Sequence, residues 1–151
     1  MAAGHPDTAN DNGRGVQDRL MEAAEDLFCR RGFNETSVRD IAAAADCNVA
    51  SVNYYFGGKE NLYLGIWRRR LVQMRESRLA SIERVMSAGG RPRLEDLLRS
   101  HAVSFLEPLI KGDRQCRFIN LMAREMIDPH LPRGMFLDEM VAPVVSALGR
   151  R

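Results

Sequence analysis

Between Thr36 and Lys59 the chain reads TSVRDIAAAADCNVASVNYYFGGK, and this stretch leaves little freedom in how the backbone can run. Val38, Ile41, Ala42 and Ala45 repeat at three and four, which predicts a short helix with one apolar side. Thr36 or Ser37 can cap it, because a side-chain hydroxyl accepts a hydrogen bond from a backbone N–H of the first turn. Asp46-Cys47-Asn48 carries turn chemistry, and Asn48 is a cap for a second helix over Val49–Phe56. Gly57-Gly58 then breaks the chain. The segment is a helix, a tight turn and a second helix, followed by a lysine.

Helical periodicity continues on both sides. Val16, Leu20, Ala23, Ala24, Leu27 and Phe28 share one face before Gly32 supplies a stop. A long helix from about Glu60 toward Met86 carries Leu62, Ile66, Trp67, Leu71, Met74, Ile82 and Met86. After Gly89-Gly90 and Pro92, the residues Leu94, Leu97, Leu98, His101, Phe105, Leu106 and Leu109 repeat at three and four. Phe118, Leu121, Met122 and Met126 line the next helix, ended by Asp128-Pro129. The last helix, about Gly134 to Leu148, contains Pro143 and is expected to kink there. With no alternating β-branched run to compete, the fold class is all-α.

The 151 residues fit one ordinary domain or two small ones. A hydrophobic content of 45% with 28% charged residues is that of a globular protein with a core. The formal net charge of +2 neither argues for nor excludes a nucleic-acid partner, since a local patch matters more than the total. Cys29, Cys47 and Cys116 form no CxxC pair, which fits reduced thiols rather than a disulfide framework. The first 13 residues lack apolar periodicity and read as a disordered leader, not a signal peptide. No apolar run is long enough to span a membrane, so a cytoplasmic location without a membrane partner is expected.

A helix that reads DNA must be anchored from behind and bare in front. Val52 and Phe56 are spaced to face a core containing Phe28, Phe33 and Ile41, leaving Ala50, Ser51, Asn53 and Tyr54 outward. Ala50 and Ser51 are small enough for close approach to base edges, and Asn53 offers a donor–acceptor pair suited to adenine. The hydroxyls of Tyr54 and Tyr55 suit phosphate oxygens. Lys59 adds charge near the N-terminal dipole of the long helix. Ser37 and Arg39 can reach the backbone or groove wall. Such phosphate contacts position a protein, whereas the outward side chains of the second helix specify sequence.

From about Arg14 to Met74 the chain resembles the N-terminal domain of TetR-family transcriptional regulators. The resemblance is carried by A-x-x-L-F at Ala24 to Phe28, Gly32-Phe33, Thr36, Ile41-Ala42, the Tyr-Tyr-Phe triplet and Lys59-Glu60-x-Leu62. LMAREM-x-x-P, at Leu121 to Pro129, is similar to a motif of one subgroup's C-terminal domain. The resemblance implies a three-helix helix-turn-helix DNA-binding domain over residues 14–74, with the helix-turn-helix at about 37–56. A helical ligand-binding and dimerisation domain would follow over 75–151. It further implies one-component regulation, in which a homodimer on a palindromic operator is released by a small molecule. By position, base reading falls on Arg39, Ala50, Ser51 and Asn53, and phosphate binding on Ser37, Tyr54, Tyr55 and Lys59. Asp46 and Cys47 stand where the family usually has glycine and valine.

In the C-terminal domain His101, Phe105, Phe118, Met122 and Met126 supply aromatic and sulfur groups suited to an apolar effector, although the same stripe also suits ordinary core. Arg117, Arg124 and Glu125 are candidates for orienting a polar ligand. Family members usually continue through helices that form a four-helix dimer interface. The chain ends at Arg151, with FLDEMVAPVVSALGRR in the place of the helix before it. The C-terminal domain is therefore expected to be shortened, with apolar surface along Val141, Val144, Val145 and Leu148 open to association. An alternative function is a shortened interaction protein that pairs with a longer relative. Neither a nucleophile–base pair nor a metal-ligand cluster is legible, so no enzyme activity and no cofactor are expected. Cys47 in the turn leaves redox sensing as a lesser reading.

Overall fold

The computed structural model describes residues 8–87, 93–96, 98–100, 102–103 and 113–149. Among these, every regular element is a helix, in agreement with the all-α expectation. The chain divides into two compact units, Met1–Ile66 and Trp67–Arg151, earlier than the expected boundary after residue 74.

The first unit contains α1 (Thr8–Arg31), α2 (Val38–Ala44), α3 (Val49–Phe56) and the start of α4 (Lys59–Ser87). Residues 8–13, read from composition as a leader, lie within α1. Their lack of an apolar stripe hid them, but a helix nucleated further on propagates without one. Leu20, Ala24, Leu27 and Phe28 of α1 are buried with Ile41 and Ala42 of α2, Val52 of α3, and Leu62, Tyr63 and Ile66 of α4. Each large side chain in this core contributes about 1.5–3 kcal/mol by leaving water.

Between α1 and α2 the chain turns at Gly32, whose φ of 91° is a backbone region that side chains disfavour. The Gly32 N–H returns to the Phe28 carbonyl at 2.9 Å. Thr36, fully buried, donates its hydroxyl to the Gly32 carbonyl at 2.7 Å, so burial leaves no orphaned oxygen. Phe33 stacks on Phe28 with ring centroids 5.7 Å apart, and Tyr63 meets each of them edge-on at 5.0 Å. Phe56, expected in the core, is half-buried; Tyr63 supplies the aromatic bulk instead.

The second unit holds the rest of α4, helical residues at 94–96, 98–100 and 102–103, and α5 (Asp113–Ile127). A π-helical turn, Leu137–Val141, leads into α6 (Ala142–Gly149). Trp67 packs edge-on against Phe118 with centroids 5.2 Å apart, and Leu71, Leu121 and Met135 are also buried. Buried Ser81 shares a 2.7 Å hydrogen bond with the Ser100 hydroxyl. Glu125 folds over the end of α5 and accepts the backbone N–H groups of His130 and Leu131 at 2.7 and 2.6 Å. The loop after Asp128-Pro129 is thereby closed on a single carboxylate.

Candidate nucleic-acid interface

The interface is built from two short helices whose ends are each specified. Ser37 caps α2: its hydroxyl oxygen accepts the Asp40 N–H at 3.1 Å. In return, Asp40 Oδ2 accepts the Ser37 N–H at 3.1 Å and the Ser37 hydroxyl proton at 2.6 Å, a reciprocal box. These two bonds, the side-chain one foremost, hold the Asp40 carboxyl below the usual aspartate range. Ser37, expected as a phosphate contact, is exposed but has its hydroxyl committed to this cap.

Asn48 caps α3, its Oδ1 accepting the Ala50 N–H at 2.8 Å. Gly57 ends the helix with φ 73°, its N–H returning to the Asn53 carbonyl at 2.9 Å. The turn between the helices places Asp46 at φ 51°, the left-handed region that Asp tolerates better than most residues. Here the chain departs from the family's usual glycine with the backbone conformation glycine would adopt.

Behind α3 stands Val52, fully buried. In front, Ala50, Asn53 and Tyr54 are all exposed and, at spacings of three and four, occupy one face. Tyr54 is 82% exposed. It meets Tyr55 edge-on at 4.9 Å, which fixes the two rings relative to each other. Ser51 and Tyr55 are half-buried on the flanks of that face. Arg39 is exposed on α2. With its side chains a helix is about 10–12 Å across, which a B-DNA major groove about 12 Å wide admits.

Lys59, expected as a phosphate contact, is half-buried. Its ammonium faces inward, donating to the carbonyls of Phe33 and Thr36, both at 3.1 Å, and lies 4.1 Å from the centroid of the Phe33 ring. A residue that sequence reasoning missed sits at the other end of α2. Arg19 donates through Nε to the Ala45 carbonyl at 3.3 Å and through Nη2 to Cys47 Sγ at 3.6 Å. No local pattern marks Arg19, because its partner is a backbone oxygen 26 residues away.

Of the effector set, Phe118, Met122 and Met126 lie within the described residues. His101 and Phe105 lie outside the described residues. Phe118 is buried against Trp67 and Met122 is half-buried, whereas Met126 stands 85% exposed. Eight residues after Phe118, at 100° per residue, Met126 has rotated about 80° out of the stripe that Phe118 begins. Glu125, a candidate for orienting a ligand, closes the loop after α5. Among the described residues no group of three or more His, Cys, Asp or Glu could hold a metal ion. Nor is any described helix long and apolar enough to cross a membrane.

Fold and site together define a helix-turn-helix protein. Residues 20–66 match the tetR family of bacterial regulatory proteins. An HTH-type transcriptional repressor of Mycobacterium tuberculosis is 35% identical over 120 residues, spanning 76% of this chain and 58% of the relative. The HTH-type transcriptional dual regulator CecR of Shigella flexneri is 27% identical over 143 residues, spanning 91% and 63%. A solved tetR-family structure from Shewanella sp. PV-4 shares the fold with a TM-score of 0.71 at 19% identity, covering 89% of this chain and 68% of that one. The chain thus spans less than two thirds of the length of these curated relatives. Residues 20–66 thus carry the N-terminal domain of the tetR family.

Proposed function

We propose that this protein is a sequence-specific DNA-binding transcriptional regulator, acting as a repressor that a small-molecule effector releases. The exposed Ala50–Asn53–Tyr54 face of α3, backed by fully buried Val52, is the observation that carries the reading. In it Asn53 pairs with a base edge and the Ala50 methyl admits close approach, while Tyr54 and Tyr55 take phosphate oxygens. Arg39 reaches the groove wall from α2. The relatives named as transcriptional regulators support the class.

The operator of this reading is palindromic and bound by a homodimer, with two α3 helices about 34 Å apart. Exposed apolar side chains at Phe136, Leu137, Val141 and Val145 favour association of the second unit with another chain. The same exposure supports the second reading, in which the protein pairs with a longer relative. Sedimentation of the purified protein with and without the DNA upstream of its own gene separates the two. Two copies per duplex are expected for the first reading. A protein that stays monomeric and ignores the duplex until a longer relative is added points to the second.

A further inference from the structure

No charged side chain stands on α3, so what it can offer a base is methyl groups, one amide and hydroxyls. The commonest specific contact in a major groove, a cation on guanine, is not available from this helix. Val49 opens the helix just after the Asn48 cap. It is 43% exposed, whereas Val52, the other valine of α3, is fully buried. Successive residues turn by about 100°, which sets Val49, Asn53, Ala50 and Tyr54 at about 0°, 40°, 100° and 140° on one arc. All four are exposed. The outward face of α3 therefore extends to its first residue, and its leading edge is apolar.

A single exposed valine is ordinary on a protein surface. Here it stands beside Ala50, and the two present methyl groups next to the amide of Asn53. Valine also holds a helix slightly less well than alanine, so local stability does not call for it at an exposed position. In a major groove, the base-edge group that methyls recognise is the C5-methyl of thymine. We infer that Val49 is a sequence-reading residue that covers a thymine methyl, so that the core of the half-site is built of A·T pairs, thymine under Val49 and adenine under Asn53. The two residues are one helical turn apart, about 6 Å along the axis, which places the two base pairs within about two steps of about 3.4 Å. This rests on the DNA-binding reading above.

The parent protein first enriches a duplex from a random-sequence library, and each thymine of the half-site is then replaced singly by deoxyuridine. Uracil lacks the C5-methyl but keeps every pairing group, and no phosphate changes, so only a methyl contact is removed. Parent and Val49→Ala are titrated against the whole set. For the parent, one uridine within about two base pairs of the position that Asn53→Ala relaxes should weaken binding by about fourfold, the worth of one buried methyl. Val49→Ala should bind the thymine duplex more weakly by a similar factor and lose most of that one penalty. Its dependence of log K on log salt should keep the parent slope, since no phosphate contact is touched. Parent binding that ignores every uridine overturns the assignment, and so does a Val49→Ala that keeps the parent's full pattern of penalties. In both cases the enriched motif still upholds the DNA-binding reading. A parent that enriches no motif overturns that reading and this inference together.

Discussion

Arg75 donates through Nη1 to the carbonyl of Glu139 at 3.1 Å. Residue 143, four further on, is Pro143, which has no N–H to give. The chain answers with a π-helical turn over Leu137–Val141, in which the Ala142 N–H reaches back to Leu137. The same guanidinium lies 3.8 Å from the Glu139 carboxylate, so one side chain serves both the backbone and the charge.

Replacing Arg75 by Met is therefore expected to lower stability by about 1–2 kcal/mol. In a Pro143→Ala background, where position 143 regains its N–H, the same substitution should cost about half as much. Urea denaturation of the four proteins in this cycle measures the coupling. Equal costs in the two backgrounds would separate Arg75 from the proline.

The Ser37–Asp40 box carries a pH dependence of known sign. Asp40 titrates below the usual aspartate range because Ser37 donates to its ionised form through both hydroxyl and N–H. A carboxyl whose folded value is depressed adds stability above its unfolded value and loses that contribution as pH falls through the folded one. The contribution is complete at neutral pH and fades only under acid. In an NMR titration the Asp40 carboxyl should show a lower midpoint in the parent than in Ser37→Ala; matching midpoints would remove Ser37 as the cause.

Gly57 and Asp46 predict opposite signs for two exchanges. A Cβ on Gly57, at φ 73°, would lie 3.2 Å from Asn61 Nδ2 in a backbone region that L side chains disfavour. Gly57→Ala should destabilise by about 1–2 kcal/mol. Asp46→Gly, at φ 51°, relieves the milder strain of aspartate and should be neutral to stabilising by about 0.5 kcal/mol. Thermal denaturation of both variants tests the pair, and a stabilised Gly57→Ala would contradict the αL cap.

The sequence made the helix-turn-helix legible because its signals are local. Ser37, Asn48 and Gly57 each act within a few residues, and the three-and-four spacing of Val38, Ile41 and Ala42 needs no distant partner. The inward turn of Lys59 was not legible. Its partners are backbone carbonyls 23 and 26 residues away, and any residue type can supply a carbonyl. Arg19 was hidden for the same reason. In α5 a stripe written as one face drifts out of register, so Phe118 is buried and Met126 is on the surface.

The central claim is that the outward face of α3 reads base sequence, and Asn53 is the residue that tests it. The parent protein and Asn53→Ala are each used to select duplexes from the same random-sequence library. The account predicts that the parent enriches one motif. The variant should enrich that motif with a single position relaxed, where the penalty for a wrong base falls by about 1–3 kcal/mol. Selection of an unchanged motif with unchanged strength by Asn53→Ala would contradict it.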